Sequence, residues 1–382
     1  MQVEEVHFNH NTGSASDDAI NIRRDETPGS KIEAPEWTLG QTPQPACYAI
    51  AAIGKQVTIR ARFRDGPRSG SRKIRAVDAD LPFDRPAGCL GFLINLILML
   101  IRALTGNVLG DVKEQMVTFD ESGRSALTTF ELVNHRIKKS GVAIRTTRWK
   151  WQVLEGGSWV DFDTTQHRIF IVLDMPRGPW QQNAGGDNIQ LPWVSALEKA
   201  CSWAVIAQTK DEAAAKITRA INSALQQSYN PATFFGYTTY NLSFYLDELD
   251  SGSPFSLNCT DCANAVTTMA NLLGCDLWEG QFTWIFTREI VGVGGDPGNP
   301  GDWVTWNWSY HEIAWLDSTT PDSYIYDACL HIDMDDDYDD SVHIPRLPVK
   351  MRFGTPDQDY LYRLMESGNG TIENVPRRRP VA

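Results

Sequence analysis

A cysteine at a helix start, a histidine in one strand and an aspartate in the next are the residues here whose types and spacing could do chemistry together. Cys259 lies in the stretch at residues 258–274, NCTDCANAVTTMANLLG. Asn258 is a good N-cap, Asp261 is an acid three positions on, and Gly274 can take the left-handed turn that ends a helix. A thiol in that first turn sits among unpaired backbone N–H groups at the positive end of the helix dipole, which favours the nucleophilic thiolate. The same N–H groups could stabilise an oxyanion. Such a thiol works with a base and with a group that orients the base. His311 supplies the base, and Asp327 the orienting carboxylate.

Three elements must position these groups. The first is the helix itself, of about four turns. Within it Cys262, Val266, Met269, Ala270 and Leu273 recur at helical spacing, so one face is expected to be buried. The second is an aromatic and β-branched strand at residues 303–315, WVTWNWSYHEIAW, which carries His311. The third is a strand at residues 324–330, which carries Asp327 and follows the turn-rich DSTTPD at residues 317–322. A hairpin centred on Thr319 sets His311 directly opposite Asp327 on one sheet face. A slip of one residue would separate them, and the turn composition alone does not fix the register.

These residues resemble the transglutaminase-like superfamily of thiol enzymes, whose helix opens C-x-D-x-A. The match is Cys259, Asp261, Ala263 and Gly274, then His311 to Trp315 as H-x-x-x-W, then Tyr324 to Asp327 as Y-x-Y-D. It covers roughly residues 242–330. Two positions depart from the pattern: Cys262 stands where an aromatic residue is common, and Asn258 where a glycine is common. The resemblance implies an α+β, papain-like core in which Cys259 attacks an amide, His311 is general base and acid, and Asp327 orients it. An acyl-enzyme then passes to water, as in a peptidase or glutamine deamidase, or to a lysine amine, as in a transglutaminase. The alternative is an inert core of this fold serving as a binding or assembly module.

Cys259 and Cys262 also form C-x-x-C, which raises a redox dithiol and a zinc site. The strand order of a thioredoxin is not evident upstream. Cys275, Cys329 and His331 are the nearby candidates for further zinc ligands, and their spacing is not that of a knuckle or ribbon. Residues 333–340, DMDDDYDD, lack the glycine and the final glutamate of a calcium loop, so a solvated loop is expected. No cofactor and no metal is therefore expected.

The formal charge of −13 argues against nucleic acid as a partner and leaves a protein or peptide substrate. Seven cysteines scattered over 382 residues are not a disulfide framework. The first residues lack the basic and then apolar order of a signal peptide, so the cytoplasm, or export by a non-Sec machine as an effector, is expected. The run at residues 89–101, CLGFLINLILMLI, is too short to span a bilayer and is closed by Arg102. It leaves two readings: a buried or partner-covered helix, or, through residues 90–101, contact with a membrane or a chaperone.

The rest of the chain predicts four segments. Residues 1–40 mix charge with Gly, Ser and Pro and read as a flexible arm. Residues 41–180 read as an antiparallel, immunoglobulin-like β-sandwich with an apolar helical insertion near 88–104. There the alternation of VTIRARFR at residues 57–64 gives a half-buried strand with a basic face of Arg60, Arg62 and Arg64, either solvated or open to an acidic partner. Trp149 and Trp151 share a core face, while His135 and His167 read as ordinary strand residues. Pro and Gly near residue 178 mark a boundary, and residues 181–352 form the transglutaminase-like domain, starting with helices at 193–208 and 211–227. The aromatics Tyr229, Phe234, Phe235, Tyr237, Tyr240, Phe244 and Tyr245 wall a cleft or pack beneath it. Residues 353–382 read as a loose tail with a short helix at most.

Overall fold

The computed structural model describes residues 1–10, 19–50, 57–67, 69–79, 109–133, 141–180, 190–224, 227–337, 342–354, 359–373 and 375–382. The apolar run at 89–101, the insertion near 88–104, His135, and residues 338–340 of the acidic stretch lie outside them. The chain forms two compact units, each built from two stretches: Met1–Met175 with Leu191–Gln208, and Pro176–Gln190 with Thr209–Ala382. Among the described residues, no helix is long and apolar enough to cross a membrane.

The first unit contains β1 (Gln2–His7), β2 (Trp37–Thr38), β3 (Ala46–Ala49), β4 (Thr58–Arg64), β5 (Gly70–Asp78), β6 (Val112–Phe119), β7 (Thr128–Glu131), β8 (Ala143–Glu155) and β9 (Ser158–Val172). They make two sheets, ordered β2-β1-β4-β7 and β3-β9-β8-β5-β6. Residues of both sheets, among them Val3, Phe63, Phe130, Ile74, Trp149 and Trp151, share one hydrophobic core. The expected antiparallel pattern holds except at one edge, where β3 joins β9 in parallel. Trp149 and Trp151 are both buried, and their indole N–H groups donate to Gly110 O and Thr165 Oγ1. Gly156 and Gly157 both take positive φ, so the two-residue turn between β8 and β9 has the twist that a tight hairpin requires.

Two expectations are corrected in this unit. The expected flexible arm begins with an interior strand: β1 lies between β2 and β4 with Val3 and Val6 buried. A register shift between Val3 and Glu5 puts residues three apart on one face, which hides the strand from a search for period two. The basic face of β4, expected to be solvated or open to an acidic partner, is half-exposed at Arg64 and is partly met by the chain's own acids. Arg62 pairs with Glu5 at 3.0 Å, and Arg64 with Glu4 at 2.6 Å.

A third correction concerns the boundary. The helix Val194–Trp203, expected to open the second domain, belongs to the first unit, where the Cys201 thiol reaches Ile171 O of β9. Conversely, Trp180 belongs to the second unit and donates its indole N–H to Thr268 O.

The second unit places the helix Cys259–Leu272 beside a five-stranded sheet. Its strands are β10 (Gln227–Tyr229), β11 (Phe255–Leu257), β12 (Leu277–Thr287), β13 (Ile290–Gly292), β14 (Asn307–Leu316), β15 (Tyr324–Tyr326), β16 (Leu330–Asp333), β17 (Pro345–Arg346), β18 (Val349–Arg352) and β19 (Met365–Ile372). The five-stranded sheet runs β18-β15-β14-β12-β19; β13-β16-β17 form a second sheet, and β10 pairs with β11 in parallel. Here too the tail is not loose. Strand β19 pairs with β12, and Arg379 is buried. Ser367, Gly368 and Gly370 interrupt any alternation in β19, so its sequence carries no strand signal.

The Cys259–Leu272 helix is buried on every side, not on one face. Its polar residues survive burial by finding partners. Asn271 donates to Gly178 O and Leu277 O and accepts from Leu277 N–H, while Thr260 donates to Glu312.

Candidate active site

Strand β11 delivers the chain to Asn258, which caps the helix. The Asn258 side chain accepts from Asp261 N–H at 2.9 Å, and the Asp261 carboxylate accepts from Asn258 N–H at 3.2 Å. That reciprocal pair is a capping box. Asp261 also accepts from the N–H groups of Phe234 and Phe235 at 3.1 and 3.0 Å, so one carboxylate ties the preceding aromatic loop to the helix start. Burial pushes its carboxyl above the ordinary value, against the backbone donors and Arg379. Cys259 is the first helical residue, and its surface is 6% exposed.

His311 lies on β14, opposite Phe282 of β12, whose ring meets the imidazole edge-on at 5.6 Å. Trp308, three residues earlier on the same strand, stacks on the imidazole at 4.9 Å and 11° from parallel. His311 Nε2 bonds Asp327 Oδ2 at 2.9 Å. Asp327 is held in turn by the Cys329 N–H on Oδ1 at 2.8 Å and by the Tyr360 hydroxyl on Oδ2 at 2.7 Å. The other ring nitrogen, Nδ1, is buried without a hydrogen-bond partner. Burial works against a charged imidazole, but Asp327, assisted by the Cys259 sulfur, outweighs it and raises the His311 pKa to about 10. The arrangement can therefore hold an imidazolium beside Cys259 at neutral pH.

The expected hairpin register is corrected. The observed pairs are Ala314 with Tyr326 and Trp315 with Ile325. Continued, that register sets Ile313, not His311, opposite Asp327. The two residues still meet because Ile313 and His311 share a face, and a diagonal neighbour remains within reach of long side chains. The expected strand at 324–330 also divides. Asp327 turns the chain by accepting from Cys329 N–H, and pairing resumes in β16.

Beneath Cys259 lies a buried ionic cluster that no motif announced. Arg379 donates to Glu312 through both Nη atoms, at 2.7 and 3.1 Å, to Glu279 at 2.5 Å, and to Asn264 at 3.2 Å. Glu312 also accepts from Thr260 at 2.8 Å and from Gln281 at 2.9 Å. Helix, sheet and C-terminal segment are thus joined one residue from the thiol. Burial pushes the Glu279 carboxyl up to about 7, despite Arg379 and with help from Glu312.

Cys262 and Cys329 hydrogen-bond to each other, and burial raises both thiols. The Cys275 thiol instead donates to Lys210 O at 3.3 Å. Among the described residues, no three His, Cys, Asp or Glu side chains are arranged to hold a metal ion. Asp333 accepts from Asp335 N–H and Ile344 N–H and pairs with His343 at 2.8 Å, so this carboxylate closes a turn. The aromatic group before the helix divides in two. Phe235, Tyr240 and Tyr245 are core, whereas Phe234, Tyr237 and Phe244 are exposed. Tyr229 packs against Trp306 at 5.1 Å and Trp308 at 6.1 Å, and its phenol lies near the side chains of Cys259, Cys262 and Cys329.

Sequence reading missed Tyr360, Arg379, Glu279 and the role of Phe282. Asp359 before YLYRL is a readable N-cap signal, but nothing in spacing links Tyr360 to Asp327, 33 positions away.

No protein-family model matches the chain, and no curated protein matches it in sequence. Among solved structures, a transglutaminase from red sea bream is similar at a TM-score of 0.38 and 9% identity. That alignment covers 85% of this chain and 60% of the other, so this chain spans less than two thirds of that protein.

Proposed function

We propose that the chain is a thiol enzyme of transglutaminase-like, papain-like fold, acting on protein amides through Cys259, His311 and Asp327. The observation that carries this reading is the His311 ring. One nitrogen is fixed by Asp327 at 2.9 Å, the other is unpartnered, and the Cys259 sulfur acts on it. In this reading the thiol proton already rests on the imidazole as a thiolate–imidazolium pair, the thiolate attacks the amide carbonyl, and the imidazolium gives its proton to the leaving amine or ammonia. N–H groups of the first helical turn stabilise the oxyanion. Water or a lysine amine then takes the acyl group. A protein amide fits the exposed aromatics Phe234 and Tyr237, which follow the Tyr229 segment beside the thiol.

One observation favours the second reading, an inert core used as a binding or assembly module: Cys259 is 6% exposed and His311 is fully buried. Alkylation by iodoacetamide across pH, read at Cys259 by mass spectrometry, separates the two. Fast modification near neutral pH that slows at least tenfold in His311→Ala supports the enzyme. Slow labelling with an ordinary thiol profile, unchanged in His311→Ala, supports the module.

A further inference from the structure

Asp327 is usually reduced, in a reading of three residues, to the group that orients the histidine. Its surroundings here contain a fourth. Tyr360 comes from the short helix Tyr360–Leu364, more than thirty residues beyond Asp327, and is fully buried among Phe282 and Phe353, at ring distances of 6.2 and 6.1 Å. Its hydroxyl donates at 2.7 Å to Oδ2, the same oxygen that binds His311 Nε2 at 2.9 Å. Oδ1 is occupied separately by the Cys329 N–H at 2.8 Å. A buried hydroxyl needs a partner, but a structural tyrosine could have taken any carbonyl. This one takes the single oxygen that governs the imidazole.

We propose that Tyr360 is a positioning residue of the Cys259–His311–Asp327 group: by sharing Oδ2 with the imidazole it fixes that oxygen's direction and limits how tightly an imidazolium is held. The inference rests on the reading of those three residues as the reacting group. Its chemical logic concerns the second half of the reaction. An imidazolium gripped by an undivided carboxylate is a poor acid, and a poor acid is slow to protonate a leaving amine. A neutral O–H on the same oxygen withdraws part of its charge without adding a charge of its own. The direction of any titration shift depends on the other groups present. Facing the imidazole are Cys259 from the helix and Asp327 from the link between β15 and β16, while Phe282 of β12 and Trp308 of β14 are uncharged. Around Asp327 lie Cys262, Cys329 and His331 besides Tyr360. Tyr360→Phe changes none of these and removes one donor.

The test is an NMR titration of His311 in histidine-labelled protein, alongside the pH profile of Cys259 alkylation. In Tyr360→Phe the imidazole should titrate about half a unit or more higher than in the parent, and the upper inflection of alkylation should move with it. Replacing Tyr360 with 3-fluorotyrosine, a stronger donor of nearly the same size, should move both the other way. A purely structural tyrosine would lower the melting temperature in Tyr360→Phe and leave both titrations in place; that result, or a downward shift in Tyr360→Phe, overturns the proposal. Failure of the underlying reading is separable. It would show as a His311 titration in the parent protein that does not respond to Cys259→Ala.

Discussion

At the scale of single residues, the charge state of His311 is decided by one contact. Burial alone would drive the ring neutral, and only the Asp327 carboxylate, with help from Cys259, reverses this to a pKa of about 10. Asp327→Asn keeps the shape and removes the charge. The imidazole is then expected to titrate at or below the ordinary histidine value, because burial acts unopposed. An NMR titration reads this directly, and alkylation of Cys259 near pH 7 should slow by tenfold or more. His311 and Asp327 were legible as a pair because side chains alternate with period two. An error in the hairpin centre left both on one face, so the pairing survived a wrong register. Tyr360 was not legible, because a contact between residues far apart in the chain leaves no periodic trace.

At the scale of elements, the Cys259–Leu272 helix shows how far a hydrophobic pattern can mislead. Its apolar positions mark one face, yet the polar face is buried as well, against a network whose partners lie 52 and 115 residues away. The sequence announces a helix, its cap and its cysteine; it does not announce that Thr260 and Asn264 meet Glu312 and Arg379. The cap is testable. Asp261→Ala strips acceptors from Asn258, Phe234 and Phe235 N–H groups and should cost about 2 kcal/mol or more, seen in urea unfolding.

The ionic cluster makes a sharper prediction. Arg379→Met leaves Glu279 and Glu312 buried without their cation, which should cost about 3–5 kcal/mol. The native pKa of Glu279, about 7, lies above its ordinary value, so the folded state holds a proton that the unfolded chain has lost. That contribution is full below about pH 4.5 and fades as pH rises through 7. Loss of Arg379 removes the cation that holds the Glu279 carboxyl down, so the variant should be worse off at pH 8 than at pH 5. A pH series of urea midpoints checks the sign.

At the scale of the whole molecule, each unit is made from two separated stretches of chain, which a linear division at residue 180 could not express. Local composition marks Pro and Gly near residue 178 as a break, but it does not record that Leu191–Gln208 returns to the first unit. A fragment ending at Met175 therefore lacks the Val194–Trp203 helix and the backbone bond from Arg23 N–H to Pro192 O. It should unfold at lower urea than a fragment ending at Gln208, with near-ultraviolet circular dichroism of Trp149 and Trp151 as the readout. The core of that first unit was otherwise legible in part, since β4 and β8 keep their alternation.

The insertion of Arg379 beneath the thiol helix also sets a clock on the protein's making. Cys259 is translated about 120 residues before Arg379 and about 100 before Tyr360. At about 5–20 residues per second, several seconds separate the synthesis of Cys259 from the arrival of the groups that complete its surroundings. Throughout that interval the nascent chain carries the cysteine without the charged anchor of its helix or the Tyr360 hydroxyl that donates to Asp327. The completed surroundings of Cys259 are thereby withheld until nearly all of this sequence has been made.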